Sequence, residues 1–247
     1  MLIGIDASRA TVARRTGTEM YSMHLLRALL RLDARHRYRL YTSSPPAPGL
    51  LGPGSDRAPA QAEWRVMPFP RLWTHVRLST EIAVHPPDVL FVPAHVLPLC
   101  HGRRAVVTLH DLGYLHYPEA HRAGDRRYLH WSTRWSARRA SAVIADSGAT
   151  RDDLIAAYRV PAGKIHVVYL GRDESLRPVT AAAVLQDLRA RYALGERYLV
   201  YVGTLQPRKN LARIIEAFAR VAGRELFAGV RLVLAGKKGW LYDDLFA

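Results

Sequence analysis

The chain has 247 residues, enough for one large domain or two small ones, and 49% hydrophobic content is sufficient for a core. Lysine and arginine outnumber aspartate and glutamate 36 to 21, a formal charge of +15 carried almost wholly by arginine. Such a charge draws polyanions, or it reflects an arginine-rich coding bias; with no long basic tail and no aromatic-interleaved RNA-binding motif, nucleic acid is not the expected partner.

The N-terminus, MLIGIDASRA, opens with a strand at 2–5 and lacks a basic stretch followed by a long apolar core, so it does not read as a signal peptide. Gly17 and Thr18 then lead into a helix over 19–32. A glycine here either serves a βα turn that needs positive φ or lets the backbone approach a ligand at the carboxyl ends of the strands. A strand at 38–42 is followed by a Pro-, Gly- and Ala-rich stretch, 43–62, that reads as a surface loop. Strands follow at 88–92 and 105–109. Cys100, the single cysteine, rules out an intrachain disulfide and fits a reducing compartment.

His110 and Asp111 directly follow the strand AVVTL. At that edge a histidine can donate to a ligand hydroxyl or carbonyl, with the neighbouring carboxylate orienting it or binding a ligand itself. The alternative is a structural histidine satisfied by a carbonyl. The helix at 125–139 places Tyr128, Trp131 and Trp135 on one stripe among arginines. That stripe is either core against the sheet or an interfacial face for anionic lipid. After the strand at 142–145, Ser147 and Arg151 either line a cleft or cap the helix at 149–158.

The strand at 165–170 ends in Gly171-Arg172-Asp173, where the first domain is expected to close. The division is therefore 1–174, a linker and helix at 175–195, and a partial second domain at 196–247. Within the last part, RYLVYVGTLQPRKNLARIIEAF gives a strand at 198–202, a turn with Gly203 and Pro207, and a helix from 210 to 222. Arg208 and Lys209 stand where that helix begins. They are either solvated charges beside an ordinary turn, or ligands for a phosphate or diphosphate at the positive end of a helix. A last strand is predicted at 230–235. The uniformly apolar strands alternating with amphipathic helices predict an α/β doubly wound, Rossmann-like fold. No apolar run approaches the roughly 20 residues that span a bilayer. Two strands cannot form a complete second domain, so the chain reads as a fragment or a shortened gene product.

Six histidines between His95 and His130 form no H-E-x-x-H and no paired Cys/His spacing, and no Asp-x-Asp is present. No metal and no other cofactor is expected.

The 197–218 segment, together with Gly17-Thr18, VVTLHDLGYLHYPE (106–119), ADSGATRDDL (145–154), KIHVVYLGRD (164–173) and LVLAGKKGW (232–240), resembles the nucleotide-sugar-dependent glycosyltransferases of family 4 over essentially the whole chain. The resemblance implies the two-domain GT-B fold, with an acceptor-side N-terminal domain and the start of a nucleotide-sugar-binding domain. It implies a retaining transfer of a hexose, mannose or another, from a nucleotide-diphosphate sugar to a glycan or lipid-linked acceptor in cell-surface polysaccharide synthesis. Gly17, Thr18, Gly203, Arg208 and Lys209 would serve the donor diphosphate, and His110 and Asp111 the chemistry. Thr204 departs from relatives that carry arginine directly after this glycine; Lys209 matches the family lysine, whereas Arg208 does not stand where the family arginine does. The expected location is the cytoplasm, with peripheral contact to anionic membrane. The alternative is an inactive fragment that binds only acceptor or membrane.

Overall fold

The computed structural model describes residues 1–52 and 58–239, and Arg208 through its backbone alone. The chain divides into two compact units. One comprises Met1–His116 and Ala123–Asp173, the other Tyr117–Arg122 and the described residues from Glu174 onward.

In the first unit the strands are β1 (Leu2–Asp6), β2 (Arg37–Thr42), β3 (Ala62–Val66), β4 (Val89–Val92), β5 (Ala105–Leu109), β6 (Ala142–Ala145) and β7 (Ile165–Val167). They form one sheet in the order β3-β2-β1-β4-β5-β6-β7, and every pairing is parallel. The order reverses between β1 and β4, which is the topological switch point of a doubly wound sheet. The intervening helices are α1 (Gly17–Leu32), α2 (Ser79–Val84), α3 (Gly113–His116), α4 (Ala123–Arg139) and α5 (Gly148–Tyr158).

Both faces of the sheet are covered, and the period-2 alternation of the strands divides the core accordingly. Along β4, Leu90 and Val92 join Val107, Leu109, Val143, Ala145 and Leu154, whereas Phe91 joins Ile5, Met23, Leu26 and Leu40. The same split runs through β5 and β6, where Val106 and Ile144 turn toward the second cluster. Truncating a fully buried leucine such as Leu109 costs about 2–5 kcal/mol.

β3 lies where the sequence predicts the end of a surface loop. It is an edge strand with alternating exposure, held by parallel pairing to β2 rather than by apolar content. β7 stops at Val167, three residues earlier than predicted; Val168, Tyr169 and Leu170 are exposed. A five-residue π-helical turn, Thr74–Leu78, runs into α2, and its periodicity was too short to read from the sequence. α4 contacts the core through Ser132, Thr133, Ser136 and Ala137, with the Ser136 hydroxyl accepting from the Leu97 N–H at 2.9 Å. Small residues let the helix approach closely, so its aromatic stripe is not the inward face: Tyr128 and Trp131 are exposed and only Trp135 packs against the core.

The second unit contains α6 (Ala182–Arg191), β8 (Tyr198–Val202), α7 (Leu211–Ala222) and β9 (Arg231–Ala235), with β8 and β9 paired in parallel. Leu199, Val200 and Val202 of β8 are exposed, an unusual state for a parallel strand. Ala120, Leu205 and Leu211 are its buried apolar residues among those described.

Among the described residues no helix is long and apolar enough to cross a membrane.

Candidate functional site

At the carboxyl edge of the first unit's sheet, residues that follow three strands (β4, β5 and β6) and residues of two helices (α1 and α5) meet around His110. The His110 Nδ1 lies 3.2 Å from the Asp146 carboxylate, immediately beyond β6, and its Nε2 lies 3.1 Å from the Pro93 carbonyl, immediately beyond β4. Both partners are acceptors, so the ring makes both hydrogen bonds only when each nitrogen carries a proton. Tyr21 of α1 meets the His110 ring edge-on at 4.7 Å, and His95 meets it at 5.0 Å. The Tyr21 hydroxyl reaches Thr108 Oγ1 at 3.2 Å. Thr150, in the first turn of α5, donates its hydroxyl to the His110 carbonyl at 2.8 Å. The backbone and ring of His110 are thus anchored from separate elements.

The cluster is electrostatically uneven. Burial, then the neighbouring His110 ring, pushes the His95 imidazole down to about 4, so it is neutral at pH 7. Burial raises the Tyr21 phenol despite the Thr108 bond, and the Asp146 charge pushes it in the same direction. Asp6, at the end of β1, is buried, and desolvation raises its carboxyl against hydrogen bonds from Ser8.

The predicted site residues fall as follows. Asp111 lies next to His110 in the chain, but its Oδ1 accepts from the Gly113 N–H at 2.9 Å and opens α3. The carboxylate that orients the His110 ring is Asp146. Gly17 is the first residue of α1 and Thr18 the second. Gly17 has no positive φ, and an added Cβ would meet nothing within 4 Å, so neither turn geometry nor crowding requires glycine there. The helix start is fixed one residue earlier. Glu19 accepts from the Thr16 N–H at 2.9 Å and from its hydroxyl, and these bonds hold the carboxyl below its usual range although partial burial works the other way. Ser147 accepts from the Thr150 N–H at 3.1 Å and caps α5.

In the second unit Gly203 has φ +159, and a Cβ there would lie 2.6 Å from the Tyr201 hydroxyl. Its glycine is therefore demanded locally. Tyr201 in turn donates to the Thr204 carbonyl at 3.2 Å. Pro207–Lys209 forms a 3-10 turn rather than the first turn of α7. Asn210 then adopts a left-handed conformation, and its side chain does not cap the helix. The first turn of α7 carries no acidic residue, and Lys209 is exposed beside it. The Arg208 side chain and Trp240 lie outside the described residues. Among the described residues no group of three or more His, Cys, Asp or Glu side chains is arranged to hold a metal.

Sequence reasoning found His110 but missed Tyr21, Asp146 and the Pro93 carbonyl, and treated His95 only as a possible metal ligand. Applying the strand-end rule to β4 and β6, as well as to β5, points to Pro93, His95 and Asp146.

Comparison with known proteins agrees with this architecture. Over 143 residues, 58% of this chain and 37% of the other, it is 29% identical to the O-antigen chain mannosyltransferase B of Escherichia coli. Over 96 residues, 38% of this chain and 25% of the other, it is 32% identical to the alpha-D-kanosaminyltransferase of Streptomyces kanamyceticus. The crystal structure of Anabaena HepE in complex with UDP and glucose superposes with a TM-score of 0.66 at 18% identity, covering 99% of this chain and 63% of HepE. The HepE complex with UDP-glucose gives 0.65, also at 18% identity, covering 98% and 62%. The fold is therefore that of the GT-B proteins. The chain spans little more than a third of the E. coli relative and less than two thirds of HepE. The family model for Glycosyltransferase Family 4 matches residues 15–176, well over half of the 247, and the chain belongs to that family.

Proposed function

We propose that the chain is the acceptor-side domain and the beginning of the donor-side domain of a retaining hexosyltransferase. It moves mannose or another hexose from a nucleotide-diphosphate sugar to a glycan or lipid-linked acceptor in cell-surface polysaccharide synthesis. The observation that carries the reading is the convergence of His110, Asp146, Tyr21 and His95 at the carboxyl edge of the sheet, beside the point where the strand order reverses. Open α/β sheets bind their ligands there. The named relatives support the sugar class: one is a mannosyltransferase, and HepE was crystallised with UDP-glucose.

In this reading departure of the diphosphate from an oxocarbenium-like transition state is the step needing help. On the second unit, Arg208 and Lys209 neutralise the leaving group at the uncapped start of α7, and Gly203 shapes the turn. On the first unit, Gly17 and Thr18 present backbone to phosphate or acceptor. His110, held by Asp146, orients the sugar; it releases the Pro93 carbonyl to donate through Nε2. Asp111 borders the acceptor. No metal or other cofactor takes part, so a chelator leaves transfer unchanged. The protein works in the cytoplasm, meeting its acceptor at a membrane from one side.

Transfer assays with GDP-mannose and UDP-glucose, alongside thermal-shift measurements with the same donors and free nucleoside diphosphates, test the proposal. A donor-specific rise in melting temperature that Lys209→Ala abolishes is expected. A cooperatively melting chain that responds to no donor would refute a donor site in these residues. The exposed apolar residues of β8 favour a second reading, in which this chain alone binds acceptor without transfer. That reading predicts acceptor binding with no donor shift.

A further inference from the structure

We propose that the surface made by the π-helical turn at 74–78 and the outer face of α4 docks on an anionic lipid bilayer. The inference is independent of the transferase reading.

Both elements carry exposed apolar residues. Leu72 is 67% exposed, Val76 43%, Tyr128 45% and Trp131 44%. His75 joins the two elements: its Nε2 lies 3.0 Å from the Tyr128 hydroxyl, and its ring lies 5.5 Å from that of Trp131. Leu72, just before the turn, has φ +55, a conformation a leucine rarely adopts, and it points the chain's most exposed side chain of this surface outward. Tryptophan and tyrosine side chains suit the boundary between headgroups and acyl chains, since each has an apolar body and a polar tip.

Charge selects the occupant. The turn at 74–78 contains no aspartate or glutamate, and α4 carries five exposed arginines between 126 and 139 against one acidic residue, Asp125 in its first turn. Arg127 and Arg134 flank Trp131 at the i−4 and i+3 positions, so cations and aromatics share one face. Arg77 is not part of this field because it pairs with the buried Glu81 at 3.4 Å. An apolar centre ringed by five arginines against the single Asp125 complements an anionic bilayer; a second copy of the same face would bring arginine against arginine.

The test uses the full chain with vesicles of phosphatidylcholine, with and without phosphatidylglycerol, at low and high salt. Binding to the anionic vesicles alone, weakened by salt, is expected. Arg127→Gln with Arg134→Gln lowers the partition coefficient by about 30-fold, from about fivefold per arginine near a charged surface. Trp131→Ser lowers it on the order of tenfold. Quenching of tryptophan emission by brominated lipid is expected in the wild type and reduced in Trp131→Phe, a variant that keeps an aromatic side chain but not the indole. Equal binding to both vesicle types, or binding to neither by a natively folded chain, overturns the proposal. So does a concentration-dependent dimer that Trp131→Ser disperses, which would make the face a contact between copies. Vesicle binding without any response to nucleotide sugars leaves this inference standing while the transferase reading fails.

Discussion

His95 provides a direct check on the electrostatics of the candidate site. Its imidazole sits beside His110, with ring centroids 5.0 Å apart, in a field to which Asp111 and Arg9 contribute with opposite signs. Burial, then the His110 ring, lowers its pKa from 6.5 to about 4. Between those values the unfolded chain binds a proton that the folded chain does not, so stability falls as the pH falls through the window. Above the upper value both states are neutral, and below the lower value both are protonated, so the loss is confined to this interval. At about 1.4 kcal/mol per pH unit the full interval is worth about 3 kcal/mol. Partial contact of the ring with solvent reduces it, and about 2 kcal/mol is expected. Urea unfolding at pH 7 and pH 4.5 should show the wild type losing that much more stability than His95→Asn. Asparagine tolerates the left-handed backbone at this position, where φ is +51. Any residual backbone cost cancels because each protein is compared with itself. Equal losses in the two proteins, or a His95 ring resonance titrating near 6.5, would refute the reasoning.

Ser147→Ala removes the side-chain acceptor of the Thr150 N–H and should cost about 1 kcal/mol in urea unfolding, since α5 loses its N-cap. Gly17→Ala meets no atom within 4 Å and needs no unusual backbone angle, so thermal unfolding should show the fold unchanged or slightly firmer. If Gly17 is there for backbone approach to donor or acceptor, the same variant loses ligand-induced stabilisation; full retention would return the glycine to an incidental helix start. Asp146→Ala leaves the His110 Nδ1 without its carboxylate and should destabilise the first unit by about 1.5–3 kcal/mol, while Asp146→Asn, which keeps an acceptor, should cost less. An equal loss in the two variants would mean that packing, not the hydrogen bond, holds the ring.

The long apolar strands and their alternation with helices could be read directly. β5 and β6 begin and end where predicted, because a strand buried on both faces must be apolar throughout, and polar residues stop it abruptly; β8 also keeps its predicted bounds, although most of its side chains are exposed. The family motifs could also be read, since they sit at the strand ends. β3 could not, because an edge strand takes its stability from backbone pairing with β2 and carries little apolar signal. The outward turn of Tyr128 and Trp131 was equally hidden. A helical period states which residues share a face but not which face meets the sheet, and here the small side chains of Ser132, Ser136 and Ala137 win by allowing closer approach.

The chain of residues by itself determined that this is a doubly wound α/β protein carrying the motifs of Glycosyltransferase Family 4, and it placed His110 directly after a strand, at the carboxyl edge of the sheet. Only the tertiary structure decided what His110 touches. Pro93, His95 and Asp146 come from strand ends far apart in sequence, and parallel pairing in the order β1-β4-β5-β6 sets those ends side by side. Local sequence dictates where a strand stops; the register and order of the sheet dictate which stops become neighbours.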